Sequence, residues 1–105
     1  MTQGTTPTFT LTFPDEIDFT IVDDIIVTFS DAKMEVLLEK NKDEITVEPH
    51  VLEVYLSQEE TLAMPITTIY VQVNWTYRVD GEVKRACSNI VKFRMCKNLH
   101  EEVME

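Results

Sequence analysis

The feature that most constrains the fold is a pair of long alternating segments, "TTIYVQVNWTYRV" and "EVKRACSNIVKFRM", joined at Asp80-Gly81. Apolar and polar residues alternate from Ile69 to Val79, which is the period of a strand with one buried face. Asp-Gly is typical of the two-residue hairpin turn, because both turn positions need positive φ and glycine adopts it freely. The sequence therefore predicts an antiparallel hairpin. The odd-numbered residues of its first strand, Trp75 among them, are predicted to supply much of the core.

The alternation on the second strand of this hairpin changes sides partway along. Ala86 and Ser88 belong to one set of alternate positions, whereas Phe93 and Met95 belong to the other. One extra residue in a strand reverses the direction of every later side chain. A β-bulge near Ser88 or Asn89 is therefore predicted.

Shorter period-two segments fill most of the remaining chain, at about 9–13, 25–30, 34–40, 45–47 and 51–56. The third of these also contains good helix formers, but its short polar links favour a strand. "SQEETLAM" breaks the alternation and has the capping-box spacing from Ser57 to Glu60, which predicts one helical turn near 57–64. About seven strands without a long helix indicate an all-β, two-sheet antiparallel sandwich of immunoglobulin type. The Cys, Trp, Cys pattern of true immunoglobulin domains is missing, so this topology rests on fold class alone.

Length and charge limit the partners. The 105 residues fit a single domain, 1–105, with tails at 1–7 and 99–105. Nineteen acidic and nine basic residues give a net charge of −10, which repels nucleic acid and anionic membrane surfaces.

No apolar run approaches the ~18 residues of a membrane span, and "MTQGTTPTF" lacks the features of a secretory signal. Cys87 and Cys96, nine residues apart on one extended segment, are expected to be free thiols in a reducing cytosol.

Catalytic and metal-binding patterns are weak. His50 and His100 are the only histidines, so a multi-histidine zinc site is not expected. Cys87 could pair with a histidine as nucleophile and base, but no orienting group or glycine-rich oxyanion loop accompanies it. Six carboxylates within 15–31 could gather around Ca²⁺, yet they lack the Asp-x-Asp-x-Asp-Gly spacing and are predicted to be solvated. We therefore expect neither an enzyme nor a cofactor, and calcium binding by this loop is the open alternative.

The candidate site is a surface for another protein. Five of the nine basic residues lie on the last strand or next to it, and they are Lys84, Arg85, Lys92, Arg94 and Lys97. Such a stripe suits an acidic partner or a second copy, although charges on an edge strand also prevent aggregation. On the preceding strand, Tyr70 lies opposite the predicted core face, beside two amide side chains. The predicted partner-binding residues are Tyr70, Gln72, Asn74, Lys92 and Arg94.

The order of these segments resembles that of a known group of proteins. "PTFTLTFP", "DDIIVTFS", "VYLSQEETLAM", "VQVNWTY", "DGEVKRACSNIVKFRM" and a closing "KNL" are similar to small proteins from the structural-gene region of Firmicutes phages and prophages. More distantly, the chain resembles the N-terminal immunoglobulin-like domain of phage baseplate upper proteins. The resemblance covers roughly 8–99 and involves strand and turn patterns, with no catalytic residues to transfer.

This resemblance implies a virion component or a protein made alongside virion components. We therefore expect a non-enzymatic structural or accessory protein of a tail or baseplate. It would dock onto other phage structural proteins or onto itself. The expected location is the cytoplasm of a bacterial host, and the virion is the open alternative. The alternative is a module that binds carbohydrate or a host receptor through exposed aromatic residues and acidic loops.

Overall fold

Two antiparallel β-sheets face each other in the computed structural model, which describes all residues from 1 to 105. The strands are β1 (Thr8–Thr12), β2 (Asp24–Ser30), β3 (Val36–Asn41), β4 (Thr46–Val47), β5 (Val51–Tyr55), β6 (Thr68–Val79), β7 (Glu82–Cys87) and β8 (Val91–Arg94). One sheet has the order β1-β5-β4. The other has the order β3-β2-β6-β7, with β8 following β7 along the same side of β6. The all-β sandwich is therefore confirmed.

The strand order matches the immunoglobulin pattern with one position empty. In that pattern one sheet has the order A-B-E-D, and the other contains G, F, C and C′. Here β1, β5 and β4 correspond to B, E and D, while β3, β2, β6 and the β7–β8 pair correspond to C′, C, F and G. No strand lies at position A, beside the outer side of β1. Instead, the segment from Met1 to Gln3 runs parallel to the chain after β8, with Thr2 bridged to Cys96.

The core fills the space between the sheets. Fourteen apolar residues are buried in one cluster, which includes the alternate residues of β2, β5 and the first part of β6. Trp75 is 7% exposed, as predicted for a core residue. Its ring meets Phe13 and Phe19 edge to face, with ring centroids 5.9 and 5.2 Å apart. This geometry suits aromatic quadrupoles, so the aromatic cluster adds to the stability that burial provides.

The Asp80-Gly81 turn is confirmed, with φ of 51° and 81° at its two central residues. The predicted burial of β6 holds only to Trp75, because Tyr77 and Val79 are 37% and 45% exposed. β6 has 12 residues, whereas β1 and β5 in the facing sheet have five each. The smaller sheet cannot cover the distal part of β6, and the hairpin extends beyond the sandwich.

The predicted bulge is present between β7 and β8. β6 advances three residues from Val71 to Asn74, while their partners Val91 and Cys87 lie four residues apart. Ser88 occupies the break: its N–H donates to the Val73 carbonyl (2.8 Å), and its hydroxyl accepts from the Val73 N–H (3.0 Å). The single return strand predicted from sequence is thus two strands, which raises the total from seven to eight.

The predicted helical turn is α1 (Gln58–Ala63), which links β5 to β6. The Ser57 hydroxyl accepts from the Glu60 N–H, and the Glu60 carboxylate accepts from the Ser57 N–H, as in a capping box. Buried Thr61 donates its hydroxyl to the Thr5 carbonyl at 2.8 Å and so fixes the helix to the N-terminal segment. Neither α1 nor the 3-10 turn Lys42–Glu44 has the length and apolar character needed to cross a membrane.

Candidate functional site: the outer face of the five-stranded sheet

The five predicted partner-binding residues lie on one surface, the side of the five-stranded sheet that faces away from the smaller sheet. Paired residues in an antiparallel ladder point to the same side. Tyr70 pairs with Lys92, and Thr68 pairs with Arg94, so both cations are on the side of Tyr70. Gln72 and Asn74 follow Tyr70 at alternate positions of β6. We call this surface, defined by Tyr70, Gln72, Asn74, Lys92 and Arg94, the outer face.

Three exposed apolar side chains adjoin Tyr70 on the outer face. Met34, Val36 and Ile90 are 57%, 60% and 51% exposed, and with Tyr70 they line a shallow depression of about 250 Å³. Sequence reasoning missed this apolar group. It placed Met34 and Val36 on the same side of a strand as Leu38, but a register shift between Phe29 and Ser30 of β2 separates Val36 from Leu38. Ile90 lies in the bulge, where alternation gives no signal.

The two amides of the outer face are held in place by the chain itself. The Gln72 amide donates to the Ser88 carbonyl at 3.0 Å. The Asn74 side-chain oxygen accepts from Nε and Nη2 of Arg85, at 3.2 and 3.0 Å. Arg85 is thereby fixed on the outer face, opposite Thr76. The surface is ordered before any partner arrives, which reduces the entropy lost on binding.

The basic stripe divides into two groups. Lys84 pairs with Glu82 at 3.2 Å, and Lys97 pairs with Glu101 at 3.5 Å. Lys92 and Arg94 form no ion pair in the chain, and Arg85 meets only the neutral amide of Asn74. The unpaired positive charge is therefore concentrated on the β7–β8 side of the outer face.

Acidic residues occupy the opposite side of the outer face. Asp24 of β2 pairs with Thr76, and Glu39 of β3 pairs with Thr28, so both carboxylates point outward. The Thr28 hydroxyl donates to Glu39 at 2.8 Å. The charge of the outer face thus changes across the sheet. It is negative on β2 and β3, neutral at Tyr70 and the two amides, and positive on β7 and β8.

Two of the carboxylates within 15–31, those of Asp18 and Asp31, accept hydrogen bonds within their own turns. Asp18 accepts from the hydroxyl and the N–H of Thr20, at 2.6 and 2.9 Å, and these bonds hold the pKa of Asp18 below its usual range. Asp31 accepts from the N–H groups of Lys33 and Glu35, at 2.9 and 3.0 Å. The structure brings together no group of three or more histidine, cysteine or acidic side chains that could hold a metal ion.

Among the cysteine and histidine side chains, Cys87 lies on the outer face, because it pairs with Asn74. Nδ1 of His50 is 2.7 Å from the Ile17 carbonyl, and its Nε2 is 4.0 Å from Asp15. Cys87 and Cys96 are exposed free thiols, as predicted. Comparisons of the chain with models of protein families, with curated proteins and with solved structures find no match.

Proposed function

We propose that this chain is a non-enzymatic structural or accessory protein of a phage or prophage, associated with the tail or baseplate. It acts by docking through the outer face, onto other virion proteins and onto a second copy of itself. The observation that carries the docking role is the outer face itself, where an aromatic residue, exposed apolar side chains and unpaired cations share one rigid sheet surface. The resemblance to proteins of phage structural-gene regions supports the phage assignment.

The centre of the outer face has the composition of a binding hot spot. Tyrosine is enriched where interfaces are fully desolvated, because it buries a large ring with little loss of conformational entropy. Tyr70 is half-buried in the free chain, and Met34, Val36 and Ile90 around it leave apolar surface exposed to water. A partner that covers this group would gain from its burial without rearranging the sheet.

The charges favour a second copy in one particular orientation. A two-fold axis parallel to the strands would place the β2–β3 side of one copy against the β7–β8 side of the other. Asp24 and Glu39 would then face Arg85, Lys92 and Arg94 twice within one interface. Such a contact uses the same surface on both copies, which is the commonest form of symmetric dimer, and its potentials are complementary.

Mass measurement of charge-reversed variants tests this orientation. We expect the Lys92→Glu/Arg94→Glu variant and the Asp24→Lys/Glu39→Lys variant each to be monomeric in size-exclusion chromatography with light scattering. An equimolar mixture of the two should form a heterodimer, because each variant then presents the charge that the other lacks. The Lys84→Glu/Lys97→Glu variant is the control. It makes the same change of charge away from the basic side of the outer face and should dimerise as the wild type does. A monomeric wild-type chain at high concentration would contradict self-association.

Gene order tests the phage assignment separately. We expect the genes beside the coding gene to encode tail, baseplate or capsid proteins. Neighbours of unrelated function would contradict the assignment and would leave the dimer measurement unaffected.

A second function is favoured by one feature of the same surface. Asp24, Glu39, Asn74 and Arg85 line a polar depression of about 200 Å³. Fixed carboxylate, amide and guanidinium groups are suitable partners for sugar hydroxyls, so a carbohydrate- or host-receptor-binding module is the alternative. A glycan array with the wild-type chain and with Asn74→Ala tests it. Sugar binding that is lost in Asn74→Ala would favour this function over protein docking.

A further inference from the structure

A second feature lies between the sheets, away from the outer face. An open cleft of about 490 Å³ separates β1 from the chain between Cys87 and Val91. Leu11, Phe13, Val71, Val73, Trp75 and Val91 provide its apolar lining. Val91 is 50% exposed although it pairs with Val71 on the inner side of the sheet. The sandwich is therefore open on this side, at the position of the missing strand A.

One side of the cleft is the free edge of β1. The Leu56 N–H donates to the Pro7 carbonyl at 3.1 Å, and the Phe13 N–H donates to the His50 carbonyl at 2.8 Å. Hydrogen-bonded pairs alternate along an antiparallel ladder, so the odd-numbered residues of β1 bond to β5. Thr8, Thr10 and Thr12 therefore direct their N–H and C=O groups toward the open edge, where no strand accepts them.

The other side of the cleft is the free edge of β8. The Met95 N–H donates to Thr67, so the even-numbered residues of β8 direct their backbone groups away from β6. The N-terminal ammonium group donates to the Arg94 carbonyl at 3.1 Å, and the Cys96 N–H donates to the Met1 carbonyl at 2.7 Å. This short parallel ladder ends at Arg94. The backbone groups of Lys92 lie next along the same edge.

One strand direction suits both edges of the cleft, parallel to β8 and antiparallel to β1. The segment from Met1 to Gln3 is parallel to β8, and the chain turns at Gly4, where the Thr5 N–H donates to the Thr2 carbonyl, before it enters β1. A strand placed in the cleft parallel to β8 is therefore antiparallel to β1. Its alternate side chains would point into the apolar cleft.

The edge of β1 also lacks the protection found on the other edges. Strand edges in monomeric proteins are guarded by charges, by proline or by being short. β3 has Glu39 and Lys40, β7 has Lys84 and Arg85, and β4 has only two residues. β1 has the sequence TFTLT, with no charged residue and no proline. An unguarded edge beside an apolar cleft is the arrangement used for strand addition.

We infer that the cleft binds an extended segment of a different polypeptide, added as a strand to β1. This segment has apolar residues at alternate positions, which pack into the cleft while its backbone pairs with Thr8, Thr10 and Thr12. A second copy would have to pair through the free edge of its own β1, and the light-scattering measurement of Thr10→Pro below distinguishes that arrangement. The inference does not depend on the proposed function, since the cleft and the outer face are separate surfaces.

A synthetic peptide tests the inference. The probe has nine residues that alternate valine and threonine. Trp75 is the only tryptophan and lines the cleft, so its fluorescence reports binding. We expect the peptide to bind, and the amide resonances of Thr8, Thr10 and Thr12 to shift. A version with serine in place of each valine should bind at least about tenfold more weakly, because it loses the contacts with the apolar lining.

Variants separate strand addition from simple filling of the cleft. Thr10→Pro removes an N–H that points to the open edge, a position where edge strands tolerate proline. We expect it to weaken binding by at least about tenfold. Val83→Pro makes the same kind of change on the free edge of β7 and should leave the affinity unchanged.

Two results would overturn the inference. One is the failure of the valine–threonine peptide to bind the wild-type chain at millimolar concentration. The other is equal affinity for the wild type and Thr10→Pro, which would mean that the cleft accepts apolar groups without backbone pairing. Thr10→Pro leaves the outer face unchanged, so the dimer measured by light scattering should persist in this variant.

Discussion

At the scale of single residues, Met34 combines a strained backbone with an exposed apolar side chain. Its φ is 63°, a left-handed conformation that costs a non-glycine residue about 1–2 kcal/mol. The turn imposes this conformation, because the Met34 N–H donates to the Asp31 carbonyl while the Asp31 side chain accepts from Lys33 and Glu35. Such strain is more frequent at functional positions than elsewhere. Here it holds an exposed methionine beside Tyr70 on the outer face.

Replacing this residue should separate stability from binding. We expect Met34→Gly to raise the free energy of unfolding by about 0.5–1 kcal/mol, because glycine adopts positive φ without strain. The same variant should dimerise more weakly, since it loses apolar contact area at the centre of the outer face. Urea denaturation and light scattering measure the two effects. Ala32→Gly, in the same turn at negative φ, is the control and should not be stabilised. A destabilised Met34→Gly would contradict the strain argument.

At the scale of elements, α1 is tied to the opposite sheet by one ion pair. Nζ of Lys40 on β3 lies 2.7 and 2.9 Å from the two carboxylate oxygens of Glu60, and the Lys40 side chain is only 11% exposed. Burial, the largest single influence, raises the pKa of Glu60. The hydrogen bonds from Lys40 and Ser57 and the charge of Lys40 together outweigh it, so the pKa of Glu60 is below its usual range. Folding therefore favours the ionised carboxylate.

This shift makes part of the stability depend on pH. The contribution of Glu60 is complete above its pKa in the unfolded chain, about 4.3. It is lost as the pH falls through the lower pKa of the folded state. We expect Glu60→Gln to lower the free energy of unfolding by about 1–2 kcal/mol at pH 7. The difference from wild type should shrink between pH 5 and pH 3 in urea titrations. Glu59→Gln, at the exposed neighbouring position, is the control, and a constant difference across that pH range would contradict the assignment.

The elements were predictable from sequence to the extent that local chemistry determines them. Alternation located the strands, Asp80-Gly81 fixed the hairpin, and the change of side after Ser88 revealed the bulge. The capping box at Ser57 located α1. Alternation carries no information about what lies opposite a strand. The exposure of Tyr77 and the empty strand position beside β1 therefore followed only from the lengths and order of the paired strands.

The candidate site was partly predictable for the same reason. The side of β6 that carries Tyr70 follows from alternation, and Lys92 and Arg94 share that side because of the bulge. The apolar group around Tyr70 depends on the register between β2 and β3, which the sequence does not specify. The division of the basic stripe into paired and unpaired charges depends on side-chain contacts such as that between Lys84 and Glu82.

At the scale of the whole molecule, the hairpin makes the chain elongated. Its extents are 53 × 30 × 20 Å, and its radius of gyration of 15.0 Å exceeds the ~13 Å of a compact domain of this length. Beyond Thr76, β6 pairs only with β7, and the exposed side chains of Tyr77, Val79 and Val83 have no sheet opposite them. The distal hairpin therefore depends on its own ladder and on the Asp80-Gly81 turn. One ion pair, between Arg78 and Asp23 at 3.1 Å, connects it to the sandwich.

Hydrogen exchange should reveal this division of the molecule into two regions. Isolated two-stranded ribbons are marginally stable in water. Amides of the distal hairpin should therefore exchange through local opening, at least about a hundredfold faster than those of Val71 and Val73 in the core. Gly81→Ala, which places a side chain at a φ of 81° with no atom near the added carbon, should accelerate exchange in the hairpin alone. Equal protection along the whole of β6 in the monomeric Lys92→Glu/Arg94→Glu variant would contradict a free-standing hairpin. If protection of the distal hairpin appears only in the wild-type dimer, the interface extends from the outer face to this end of the molecule.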